Sequence, residues 1–107
     1  MLTAEELLAG SETIFEITIP EEFVKPGQGF ADKPNTIQIR PLTIGTFQLI
    51  MKSAREDPGL IPLLIVKEGL VAPAVSLVQV RSMPIGLLEF ILEHIREVSG
   101  LSKKKTN

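Results

Sequence analysis

The feature that most constrains this chain is a change of hydrophobic period at Pro41-Leu42-Thr43. Before it, apolar residues recur every second position. Ile14, Glu16 and Thr18 fall on one side of an extended chain and Phe15, Ile17 and Ile19 on the other. A second run places Ile37 and Ile39 opposite Thr36, Gln38 and Arg40. After it, Phe47, Ile50, Met51 and Ala54 follow the i, i+3, i+4, i+7 spacing of one helix face, with Thr43 placed as the N-cap. A two-stranded antiparallel β-hairpin followed by a small bundle of three to four α-helices, an α+β fold, is therefore predicted.

At 107 residues the chain has room for one domain. The predicted division is a short N-terminal helix over 1–10, a hairpin over 13–41 with a long loop at 21–34, a helical part over 43–100 and a flexible basic tail over 101–107. Thr3 and Glu6 have capping-box spacing, and Gly10 is a stop signal. That helix has about two turns and must dock or fray. The loop is rich in Pro and Gly and carries Phe23, Val24 and Phe30, apolar groups read as packing back onto the sheet or serving as a secondary contact surface.

Asp57-Pro58 closes the first bundle helix, Pro62 opens a nearly all-apolar one and Gly69 ends it. Residues 71–80 read either as a helix opened by Pro73 or as a strand, and helix is preferred. Ser82-Met83-Pro84 announces the last helix, whose stripe is Leu87, Leu88, Ile91, Leu92, Ile95 and Val98 and whose stop is Gly100.

Composition narrows the chemistry. There is no Cys and one His, so neither a thiolate nucleophile nor a cysteine–zinc site can form. His94 reads as a boundary residue of the last helix rather than a ligand or base. The Ser residues fit caps, turns and helix faces, and the acidic pairs fit solvated first turns. Eleven basic and 13 acidic residues are mixed along the chain, apart from Lys103-Lys104-Lys105, which gives no nucleic-acid footprint. Gly59 to Val80 is interrupted by Pro62, Lys67, Glu68 and Pro73 and does not read as a membrane span. Met1-Leu-Thr-Ala-Glu-Glu lacks the basic start of a signal peptide, and absence of Cys fits a cytoplasmic protein. The expectation is a non-enzymatic chain without cofactor or metal, whose partner is another protein or a further copy of itself.

A mean hydropathy of +0.25 is high for so short a chain and implies apolar surface left over for a partner. The alternative, that the monomer core consumes every apolar residue, stays open. Partner contact is expected at Leu63, Leu64, Val66, Leu70, Val71, Leu77 and Val78.

The run Ile37-Gln38-Ile39-Arg40-Pro41-Leu42-Thr43, then Asp57-Pro58, then Val66-Lys67-Glu68-Gly69-Leu70 and the closing Leu87-Leu88-Glu89-Phe90-Ile91 helix resemble the tail assembly chaperones of tailed phages and related contractile systems, over roughly residues 36–98. The resemblance implies a chaperone that holds the tape measure protein, with its long hydrophobic helices, until tail-tube protein polymerises around it. Two departures, Ala72-Pro73 and a well-formed first strand, leave a structural tail or baseplate subunit as the alternative.

Overall fold

The computed structural model describes residues 1–23 and 35–101. The chain begins with α1 (Ala4–Leu8), which runs on into a 3-10 turn (Ala9–Glu12), and then forms β1 (Phe15–Thr18), a second 3-10 turn (Glu21–Phe23) and β2 (Thr36–Ile39). There follow α2 (Ile44–Ser53), α3 (Leu60–Gly69), β3 (Leu70–Ala72), α4 (Leu77–Arg81) and α5 (Ile85–Val98). The class is α+β as expected, with a three-stranded antiparallel sheet in the order β1-β2-β3. Val24 and Phe30, most of the loop and the lysine run lie outside the described residues.

The hairpin has the predicted alternation. Phe15 faces Ile39 and Ile17 faces Ile37 across the ladder. Ile39 and Ile19 are buried, Ile17 and Ile37 pack half-buried against them, and Phe15 at the strand's start stays exposed.

The third strand corrects the expectation that 71–80 is helical. The helix α3 ends with Leu70 already extended, at φ −87° and ψ 112°, so the chain passes directly into β3. Gln38 then faces Ala72, and Ile39 faces Leu70 across an irregularity in the register. Helix resumes only at Leu77, after a cis Ala72-Pro73 bond. Its start is a capping box: Gln79 N–H donates to Ser76 Oγ at 3.2 Å and Ser76 N–H to Gln79 Oε1 at 2.9 Å.

Other ends follow the expected chemistry with small shifts. Thr3 and Glu6 form their reciprocal cap, and Thr43 Oγ1 accepts from Thr46 N–H at 3.2 Å. Gly10 does not stop the chain but lies within the 3-10 turn. α3 starts two residues ahead of Pro62, which is tolerated because the first-turn N–H groups have no intrahelical acceptor. Ser82 closes α4 through Val78 O, and Pro84 takes the capping position of α5. α5 ends as expected at Gly100, at φ +80°, with Leu101 N–H donating to Arg96 O and Gly100 N–H to Glu97 O.

The core is aliphatic: Ile39, Ile50, Ile65, Val66, Val80, Ile91 and Ile95, with Ile19 and Leu70, form one buried cluster. The helix α3 is central, packing on α2, α4 and α5. Each such side chain contributes about 1.5–3 kcal/mol on burial.

Candidate protein-interaction surface

The junction between sheet and bundle positions everything that follows. Arg40 N–H donates to Gly69 O at 2.9 Å, and its Nε donates to Glu68 O at 3.1 Å. Two residues on, Leu42 N–H donates to Ser99 Oγ at 2.8 Å, and Thr43 then caps α2. The stretch 40–43 thereby fastens β2 to the end of α3, to the end of α5 and to the start of α2.

The seven residues expected to contact a partner divide in three. Val66 is completely buried and Leu70 only 5% exposed, so both are corrected to core residues. The physical reason is the central position of α3 and the pairing of β3 with β2, which leave no solvent on those sides. Leu63, Leu64, Val71 and Leu77 are half-buried, with Leu63 and Leu64 packed on the core edge. Val78 alone stands well out, 72% exposed on α4. Because α3 packs against α4, Leu63, Leu64, Leu77 and Val78 sit on neighbouring elements.

Larger exposed apolar groups lie elsewhere. Leu2, Leu7 and Leu8 stand in solvent on and beside α1, which buries none of its residues. Ile44, Leu49 and Met51 are exposed on α2, and Ile85 at the start of α5. Met51 was expected on the buried stripe and is instead 43% exposed. The signal for Leu49 was available: it is out of phase with Phe47, Ile50 and Ala54, which face inward. The signal on α1 was its length, since five residues cannot both fold over the core and cover three leucines.

His94 and four of the serines make structural contacts. His94 Nδ1 lies 3.0 Å from Phe90 O, and its ring rests 4.4 Å from the Phe90 ring, centroid to centroid. Phe90 in turn lies 6.3 Å from Phe23, so an aromatic row ties the turn after β1 to α5. Ser11 donates to Leu8 O, Ser76 caps α4, Ser82 donates to Val78 O and Ser99 receives Leu42 N–H. Among the described residues no group of three or more His, Asp or Glu side chains is placed to hold a metal ion, and no helix is long and apolar enough to cross a membrane.

The chain matches no family model, no curated protein and no solved structure. The closed aliphatic core is surrounded by large exposed apolar side chains on four helices. Scattered apolar residues are ordinary on protein surfaces. Here three leucines gather around one short helix and three further apolar groups stand on α2, and a chain of this size has few such residues to spare.

Proposed function

We propose that this protein is a non-enzymatic tail assembly chaperone that binds a tape measure protein in the cytoplasm of the host. Two things support the reading. The resemblance over residues 36–98 implies that family, and the apolar side chains exposed on α1, α2, α4 and α5 suit a partner made of long hydrophobic helices. The second is the observation that carries the proposal, since the core is complete without those side chains.

A chaperone of this kind must shield apolar helix faces and later release them, which calls for several shallow contacts rather than one deep cavity. Leu63, Leu64, Val71, Leu77 and Val78 remain the proposed contact set on α3, β3 and α4. The exposed groups of α2 extend it.

The test is co-expression with the longest coiled-coil-rich product encoded beside it, as the candidate tape measure protein. The expected result is that the tape measure protein moves from the insoluble to the soluble fraction and co-purifies with this chain. An insoluble partner at every expression ratio, with this chain assembling by itself into rings or tubes, would overturn the reading in favour of a structural tail or baseplate subunit.

A further inference from the structure

Among the described residues no strand pairs with the outer edge of the sheet at β1, and its hydrogen-bonding pattern can be read residue by residue. Ile19 N–H donates to Asn35 O at 2.6 Å, continuing the register in which Ile17 faces Ile37 and Phe15 faces Ile39. In an antiparallel ladder both backbone groups of every second residue turn toward the same neighbour. Phe15, Ile17 and Ile19 therefore direct theirs at β2, while the N–H and C=O of Glu16 and Thr18 point away from the sheet. The same alternation turns Arg40 to the other side of β2, where its N–H meets Gly69 O. Among the described residues no hydrogen bond takes up the outward groups of Glu16 and Thr18.

Natural edge strands are blunted by Lys, Pro, bulges, covering elements or shortness. Within Phe15–Thr18 there is no Lys and no Pro, the pairing with β2 is regular, and Phe15, Glu16 and Thr18 are all exposed. Within the strand itself its shortness and the exposed Glu16 carboxylate are the protections.

We infer that β1 pairs antiparallel with β1 of a second copy about a two-fold axis through Ile17, joining two three-stranded sheets into one of six strands. Self-complementarity selects the occupant and the register. An axis through Glu16 would set that carboxylate opposite its own copy, which is unfavourable. An axis through Thr18 would set Glu16 opposite Pro20 of the second copy, which has no N–H to give. An axis through Ile17 sets Glu16 opposite Thr18 in both halves, and every outward donor of the two residues finds an outward acceptor.

The apolar face agrees with this choice. Residues directly opposite each other share a face of the sheet, so Ile37, Ile17, Ile17 of the second copy and its Ile37 would form one unbroken row on the helix side. Phe15, 37% exposed in the single chain, would lie beside Ile19 of the second copy. A peptide of unrelated sequence could use the same backbone groups but would not be drawn to this register. The inference goes beyond the proposed function and does not rest on it, because a partner held by the helices leaves this edge free.

The experiment uses the full chain, which contains no Cys of its own. In the proposed register the two Ile17 residues form a close, non-hydrogen-bonded pair with Cα atoms about 4.5 Å apart, within disulfide range. The two Glu16 residues are diagonal neighbours, roughly 7–8 Å apart. Under mild oxidation Ile17→Cys is expected to yield about tenfold more disulfide-linked dimer than Glu16→Cys, since Cα separations beyond ~7 Å are not bridged. Equal yields from the two variants, or no dimer from either, would overturn the pairing. Thr18→Pro supplies the independent check by sedimentation equilibrium: it deletes an N–H that no described residue of the monomer accepts, so its circular dichroism should match the parent while the dimer is lost. A parent chain that stays monomeric at the highest concentrations reached, or a Thr18→Pro chain that dimerises as the parent does, would equally overturn it.

Discussion

Gly69 is in contact with Ile95: a Cβ built on Gly69 would fall 2.6 Å from Ile95 Cδ1 and 2.9 Å from its Cγ2. Ile95 is fully buried, so its side chain has no solvent to retreat into. The glycine at the end of α3 is there to let α5 approach.

Gly69→Ala is accordingly expected to destabilise the protein by about 1–3 kcal/mol, the usual cost of overpacking a filled core. Helix propensity alone would favour Ala by about 1 kcal/mol, so the sign of the measured change separates the two effects. Chemical denaturation of the single variants and of Gly69→Ala with Ile95→Ala checks it. The double variant should be more stable than the sum of the singles predicts, because removing the isoleucine makes room for the new methyl. Strict additivity would mean that the contact does not decide the residue.

This glycine marks where sequence reading stops. As the last residue of an apolar helix it was legible as a terminus, but a left-handed stop and a close approach look alike in a sequence. Gly100, at φ +80°, is of the first kind and Gly69 of the second. The hairpin, the caps at Thr3 and Thr43 and the α5 stripe were legible because each is local and periodic. β3 was not, since three residues are too few to display alternation and its pairing with β2 depends on a residue some thirty positions away. The contact set suffered from the same gap. Val66 and Leu70 look identical to Leu63 and Val71 in an apolar run, and only the positions of β2 and α5 distinguish buried from half-buried.

The buried Val66 and exposed Val78 provide a direct comparison. Val66→Asp places a carboxylate in a dry aliphatic core without a partner, a cost of several kcal/mol against a total stability of about 5–15 kcal/mol for a domain, and is expected to prevent folding. Val78→Asp should change stability by no more than about 0.5 kcal/mol. Circular dichroism and thermal melts measure both. If Val78 belongs to the partner surface, Val78→Asp will retain the fold and reduce recovery of soluble tape measure protein in co-expression.

Leu42 and Ser99 are separated by most of the helical part of the chain, yet the Leu42 N–H donates to Ser99 Oγ at 2.8 Å in a half-buried setting. Ser99→Ala removes the acceptor and leaves that N–H unpaired, which is expected to cost about 1–3 kcal/mol. Hydrogen exchange should report it as lost protection at Leu42 and the first turn of α2. Protection unchanged at Leu42 would mean that water replaces the hydroxyl at no cost.

Two threonine caps of the same chemistry should behave differently, because α2 is attached to the core and α1 is not. Thr43 caps α2, which buries Ile50 and packs on α3. Thr43→Ala should lower global stability by about 1 kcal/mol, a typical value for a lost N-cap. Thr3 closes a full capping box, but α1 buries none of its residues. Its opening is local, and a helix of five residues has almost no stability apart from what it packs against. Thr3→Ala is therefore expected to leave the denaturation midpoint unchanged while increasing proteolytic cutting near Leu7 and Leu8. The same pair of variants, measured again in complex with a partner, gives α1 a clear role: if its leucines dock there, Thr3→Ala acquires a cost in binding that it lacks in the free chain.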